Sequence, residues 1–406
     1  MKTLRSMGAA VGVAAAVTLA ISVSQVAASS KAKCNASNPV KIGTIWSLSG
    51  PGAGIGKLDQ QGATLAVSQV NAEGGMQGRC IKLVVTDDGT NPTTAAQDVR
   101  QLIDQERVQF IVGPFFSSNS LASMPYMNQN KIININESAL PDAGDASKYP
   151  YTFRRETASD VIAEIMANFI KEKHYKRVAV LALNTALGQV LAPALQNLVP
   201  KAGATVTKIE FMNTGAPDVT PQMASLKATN PDLIIMGVTS DPDQVAAIKA
   251  KMQLGIKVPL LGFSTAGNPA TVANFTKAQL NDVYAAQIYK TLTYTSTKPG
   301  QGKPTWPLAK KFVSDFAKWI HAHNIKESIS QATGGYDSIR MLQWAVNGTK
   351  SFDSDKIKSW FETHAYTGVR GVYHWSATRH DGVSASMNTV AYANSLNVYG
   401  LLRQVG

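Results

Sequence analysis

The chain has 406 residues, 44% of them apolar and 16% charged, with 39 Lys and Arg against 27 Asp and Glu and only two cysteines. That length asks for two or three domains, and the apolar share supplies sizeable cores, which excludes a disordered or fibrous protein. Two cysteines exclude a disulfide-dense scaffold and a four-thiolate zinc site, while the formal charge of +12 admits nucleic acid until the placement of the basic residues is read.

The first segment in chain order is a leader over 1–28. Lys2 and Arg5 precede an Ala- and Val-rich apolar run from Gly8 to Val23, and Val26 and Ala28 supply the small residues of a cleavage site after Ala28. The run is short for a membrane span of ~20 residues, and Cys34 stands in SKAKC, unlike a lipid-accepting cysteine. Export to the periplasm is expected. Removing Lys2 and Arg5 leaves 12 − 2 = +10 on the mature chain.

Strands and helices then alternate. Strand 40–46, a Gly-rich turn over 49–56, helix 58–71, strand 81–86, helix 93–104, strand 110–112, helix 119–129 and strand 132–135 form one series. It restarts with strand 151–154, helix 159–173, strand 178–183, helix 188–201, strand 205–211, helix 220–229, strand 233–238, helix 242–254 and strand 258–261. Continuous apolar strands between helices indicate parallel sheets covered on both faces, so the fold is α/β with two doubly wound Rossmann-like lobes. A polar Gly/Pro insertion over 295–305, helices 308–323, 330–347 and 355–364, and hairpin strands within 369–405 complete the chain. Cys34 precedes one strand and Cys80 opens the next. Adjacent parallel strands start at the same edge, so an oxidising compartment should join Cys34 to Cys80.

Several chemistry motifs fail. Gly50–Lys57 resembles a phosphate-binding loop, but Pro51 stands where its first glycine belongs and Leu58 where a magnesium-holding Ser or Thr is needed. The stretch Gly262–Ala266 lacks the final glycine of a nucleophile elbow. His321 and His323 point apart on a helix. His374 and His380 read as solvated surface side chains, and Asp87 and Asp88 face opposite ways at a strand end. No catalytic residue, cofactor or metal is expected. Polar residues after strand ends remain, where open α/β sheets bind ligands: Ser117 and Ser118, Ser138 beside Ala139, Thr239, and Ser264.

The segments KIGTIWSLSGPGAGIG, QQGATLAVSQVNAEGGMQG, VVTDDGTNP, FIVGPFFSS, the crossover over 154–160 and NPDLIIMGV together resemble the branched-chain amino-acid binding protein family, the periplasmic receptors of ABC importers. The resemblance implies a type I bilobal fold with three interlobe crossovers, here lobe 1 as 39–154 plus 287–384 and lobe 2 as 155–286 plus 385–406. It implies a small-molecule ligand held in the cleft by hinge closure, an inner-membrane ABC permease as partner, and a receptor acting as a monomer. Ser117 matches the family serine that contacts the ligand carboxylate. Phe115 and Phe116 match the wall before it, and Ser138 and Ala139 the next ligand loop.

The chain departs from that pattern where an amino-acid ammonium would bind. Ser264 occupies the place of the family's second-lobe acid, and Leu187 and Ile55 occupy those of two tyrosines. Ala139 stands for a threonine. An unpaired ammonium in a closed cleft costs several kcal/mol, so a carboxylate with an aromatic or apolar body is expected, against Trp46, Phe115, Phe116, Leu187 and Phe263. An amino-acid or amide binding or sensing protein of the same fold is the alternative, and neighbouring permease genes would favour transport over sensing. The Lys and Arg residues form no stripe with interleaved aromatics, which removes nucleic acid.

Overall fold

The computed structural model describes residues 34–295, 303–304, 306–323, 331–397 and 401–405. The leader over 1–28 and most of the insertion over 295–305 lie outside the described residues. The first α/β series is β1 (Asn35–Trp46), α1 (Ala53–Ala72), β2 (Arg79–Asp87), α2 (Pro92–Arg100), β3 (Phe110–Val112), α3 (Ser117–Gln129), β4 (Ile133–Asn136) and β5 (Thr152–Arg154). These strands lie in the order β2-β1-β3-β4-β5, every pair parallel. β1 starts five residues earlier than its apolar run because Asn35 pairs with Arg79 before a register shift leads into Val40 and Ile81.

The second series is α4 (Ser159–Glu172), β6 (Arg177–Leu183), α5 (Ala186–Lys201), β7 (Thr205–Met212), α6 (Thr220–Lys227), β8 (Leu233–Gly237), α7 (Asp241–Gln253), β9 (Leu260–Gly262), α8 (Pro269–Val272), β10 (Val283–Tyr289) and β11 (Thr293–Tyr294). After it come α9 (Pro307–Ala322), α10 (Thr333–Thr349), α11 (Ser354–Thr363), β12 (Tyr366–Gly368), β13 (Gly371–Tyr373), β14 (Asn388–Tyr392) and β15 (Leu402–Gln404). The second sheet runs β11-β15-β14-β10-β9-β8-β6-β7. It is parallel from β7 to β10 and antiparallel where β14 joins β10 and β15. β10 pairs with β14 as far as Tyr289, so the second sheet continues past the expected boundary at 286/287.

Each lobe closes its own core. β3, β4 and β8 are buried along their whole length, as strands covered on both faces must be. In the first lobe α9, α10 and α11 return to cover the sheet: Phe312, Phe316, Ile339, Leu342 and Phe361 pack with Val40, Ile42 and Phe110. Helices α1 and α10 cross in backbone contact. A Cβ on Gly62 would fall 1.8 Å from the Ala332 carbonyl oxygen, and one on Gly335 1.9 Å from that of Asp59. Only glycine permits that approach, and it brings the Gly335 N–H to Asp59 Oδ1 at 2.9 Å.

Cys34 and Cys80 form a disulfide, with Cα atoms 4.9 Å apart, at the starting edge of β1 and β2. His374 is exposed, but His380 corrects the surface reading. It is fully buried, its ring is stacked on Phe153 at 4.1 Å, and its two nitrogens lie 2.9 Å from the Thr152 carbonyl and 3.1 Å from Glu362. The turn-rich sequence around it hid a strand-like bridge from Asp381 to Arg154, which carries the imidazole under the sheet edge. Burial holds its pKa below the ordinary histidine value, against the pull of Glu362.

The three crossings between lobes meet at one hydroxyl. Thr157 Oγ1, after β5, lies 3.4 Å from the Tyr289 hydroxyl at the end of β10 and 3.4 Å from Asn388 Oδ1 at the start of β14. Among the described residues, no helix is long and apolar enough to cross a membrane.

Candidate functional site

Strand order reverses between β1 and β3 in one sheet and between β6 and β8 in the other, and ligands of open α/β sheets bind at such switch points. A cavity of about 290 Å³ lies there, between the C-terminal strand ends of both lobes. That is near the lower end of the range for small-molecule sites. The first lobe lines it with Thr90 and Pro92 after β2, Phe115 to Asn119 at the start of α3, Glu137 and Ala139 after β4, and Glu156 after β5. From the second lobe come Leu183 to Thr185 and Leu187, Thr214, Thr239, Phe263 to Thr265, and Gln287.

The lobes touch across this cavity. The Ala186 N–H points to Ser118 Oγ at 3.4 Å. A Cβ on Gly54 would lie 2.7 Å from Asp241 Oδ2, and one on Gly215 3.0 Å from Pro51 Cγ. The conformation is therefore closed at the cleft rim.

Helix α3 opens into the cavity without a cap. Its N-cap is Phe116, whose side chain offers no acceptor, so the N–H groups of the first turn are unspent and the helix dipole favours an anion beside Ser117 and Ser118. Asn91 caps α2 by accepting from the Thr93 and Thr94 N–H groups, and Ser240 caps α7 by accepting from that of Asp243; α5, whose N-cap Thr185 also lines the cavity, is like α3 without a side-chain cap. The Phe115 and Phe116 rings meet edge to face at 5.3 Å, and Phe263 and Leu187 supply apolar wall from the other lobe. Thr239 Oγ1 is buried with no hydrogen-bond partner among the described residues.

Nine of the eleven residues expected at the site line the cavity: Phe115, Phe116, Ser117, Ser118, Ala139, Leu187, Thr239, Phe263 and Ser264. Two do not. Trp46 ends β1 facing inward and is fully buried in the first core with Val40 and Ile42. Ser138 is also fully buried, with both its N–H and its hydroxyl donating to Asn136 Oδ1, at 2.9 and 2.8 Å. That local turn sends Ser138 away and leaves its neighbour Glu137 on the wall.

Sequence reasoning missed the two acids of the wall. Glu156 is saturated. Its Oε1 accepts from the Thr157 N–H at 3.0 Å, Gln287 Nε2 at 3.0 Å and the Tyr289 hydroxyl at 2.7 Å. Its Oε2 accepts from Arg155 Nη1 at 3.0 Å and Arg370 Nη1 at 2.7 Å. Burial alone would raise its pKa, but Arg370, Arg155 and these donors override it and hold the carboxyl down at about 2. Glu137 Oε1 lies 2.9 Å from Arg155 Nη2, and Asp59 Oδ1 lies 3.1 Å from the same nitrogen. Burial and then the charge of Glu137 push the Asp59 carboxyl well above the usual range. The signal that could have found both acids is position: each closely follows a first-sheet strand, β4 or β5, as Ser117 follows the β3 turn.

Among the described residues, no group of three or more His, Cys, Asp or Glu is arranged to hold a metal. The chain matches the periplasmic binding protein family over residues 39–393. It is 24% identical over 339 residues to a Leu/Ile/Val-binding protein of Citrobacter freundii, covering 83% of this chain and 87% of that one. A solved leucine binding protein from Thermotoga maritima superposes with a TM-score of 0.77 at 22% identity, over 90% of this chain and 98% of that one. A solute binding protein of an ABC transporter from Rhodopseudomonas palustris, solved with benzoate, superposes with a TM-score of 0.77 at 18% identity, over 91% and 96%. With two doubly wound lobes closed on a cavity at their switch points, and with that match across most of its length, the chain belongs to the periplasmic binding protein family.

Proposed function

We propose that the protein is an exported receptor that binds a small carboxylate with an aromatic or apolar body and delivers it to an inner-membrane ABC permease. The observation that carries this reading is the uncapped start of α3, opening onto a cavity walled by Phe115, Phe116 and Phe263. The N–H groups and the hydroxyls of Ser117 and Ser118 receive the carboxylate, and the rings hold the body. The wall offers an ammonium little: Ser264 is neutral, Glu156 is fully hydrogen-bonded, and Glu137 is the near counter-ion of Arg155. One relative with this fold was solved with benzoate, which supports an acid without an amino group. Closure over the ligand presents the shape that a permease reads.

Titration calorimetry of the mature protein with benzoate, phenylacetate and leucine tests the reading. Tight binding of an aromatic acid with leucine at least tenfold weaker is expected. Tight leucine binding with no aromatic acid bound would overturn it.

A further inference from the structure

Of the two acids on the cavity wall, Glu137 is the one whose hydrogen bonding is incomplete. It is fully buried, at 0% exposure. Oε1 lies 2.9 Å from Arg155 Nη2 as an ion pair, but neither Oε1 nor Oε2 has a hydrogen-bond partner among the described residues. The turn between Asn136 and Ser138 fixes the backbone on either side, and the Arg155 guanidinium lies against the carboxyl. A buried carboxylate oxygen without a donor is costly and calls for one, and Glu137 is one of the residues that line the cavity.

The surrounding charges decide what kind of donor that is. Arg370 and Glu156 form one ion pair and Arg155 and Glu137 a second. The further acids are Asp59 at Arg155 and Asp337, which accepts from the Arg370 N–H; burial pushes both carboxyls up, towards the neutral form. The cluster is thus balanced without a ligand charge. An ammonium beside Glu137 would add an unmatched positive charge next to the Arg155 guanidinium, whereas a hydroxyl fills the open acceptor and leaves the balance intact.

Resting on the reading of the cavity as an aromatic-acid site, we infer that Glu137 is a specificity-determining residue that accepts a hydrogen bond from a ring hydroxyl of the ligand. The receptor therefore prefers a hydroxylated aromatic acid to its unsubstituted parent. The uncapped helix takes the carboxylate, and Glu137 reads the second polar group.

The test is titration calorimetry of the mature protein, Glu137→Gln and Glu137→Ala with benzoate, 3-hydroxybenzoate, 4-hydroxybenzoate and leucine, with circular dichroism confirming each fold. The wild type should bind at least one hydroxybenzoate about 10- to 100-fold more tightly than benzoate. In Glu137→Ala that preference, read as the ratio of the two affinities within each protein, should shrink to within about threefold, and Glu137→Gln, which retains a neutral acceptor, should fall between. Should the alanine variant fail to fold, the wild-type and glutamine series still decide. Benzoate binding in the wild type without a hydroxyl preference, or a preference that survives in both variants, removes Glu137 from this role and leaves the acid site standing. Leucine binding that depends on Glu137 makes an ammonium the occupant and overturns the inference. Absence of any aromatic acid binding overturns the acid site itself and the inference with it.

Discussion

Glu156 and Arg370 stand 214 residues apart in sequence and 2.7 Å apart at the hinge, joined from Nη1 to Oε2 in full burial. Buried ion pairs often add little net stability. This one fixes position, because Glu156 also holds Gln287 and Tyr289, so that one carboxyl ties the first crossing to the second and to the returning chain of lobe 1. Because its pKa is lowered from 4.5 to about 2, its contribution to stability is present above the ordinary carboxylate value and is lost as pH falls through that window. With ~1.4 kcal/mol per pH unit the loss totals about 3 kcal/mol. Glu156→Gln should lower stability at neutral pH by about 3–5 kcal/mol, by leaving Arg370 unpaired, and should show a flatter acid limb below pH 4.5. Urea unfolding of both proteins from neutral pH down through that window measures this, and parallel profiles would refute the assignment.

The Cys34–Cys80 disulfide closes a sequence separation of 46 residues, worth about 4 kcal/mol in the chain-entropy treatment. It lies at the starting edge of β1 and β2, whereas the cavity lies at the finishing edge of the strands. Replacing both cysteines by alanine should therefore lower unfolding stability by about 4 kcal/mol and leave ligand affinity within about twofold. Denaturant titration paired with calorimetry separates the two effects.

Gly54 lies in α1 at the rim, where a Cβ would meet Asp241 of the other lobe at 2.7 Å. Asp241 has little freedom to withdraw, being buried with Oδ1 bound by the Thr271 hydroxyl at 2.9 Å. Gly54→Leu should stabilise the helix by up to about 1 kcal/mol and at the same time weaken ligand binding more than about tenfold, because the lobes can no longer close. A melting temperature that holds or rises while affinity falls identifies a closure defect. Affinity that holds would show that this contact is not needed for closure.

What is legible in the sequence is set by period and position. Alternating strands and helices mark out both sheets, and the Gly-Pro turn before Ser117 marks the uncapped helix, because both signals are local. At strand ends a shift of one residue exchanges the two faces. That is why the pattern points to Ser138 where Glu137 stands, and why Trp46, large and aromatic at the end of β1, turns into the core instead of the cleft. Arg370 and Gln287 reach Glu156 from 214 and 131 residues away, and no local pattern announces such a meeting. His380 escapes sequence reasoning for the same reason: its environment is made by Phe153 and Glu362, not by its sequence neighbours.

The missing charge at Ser264 can be supplied. Ser264 is half-buried on the cavity wall, and its hydroxyl receives Gln331 Nε2 at 3.4 Å. A glutamate there would bring a carboxylate to the cavity wall. In Ser264→Glu a carboxylate ligand would meet a like charge inside a closed cleft, so affinity for benzoate should fall at least about tenfold, equivalent to about 1.4 kcal/mol. A zwitterion would instead gain a partner for its ammonium while keeping the start of α3 for its carboxylate, so leucine affinity should rise. Calorimetry with both ligands on both proteins reads the exchange directly. If benzoate binds the variant as it binds the parent, the ligand does not approach Ser264, and the neutral side chain there does not set the choice between an acid and an amino acid.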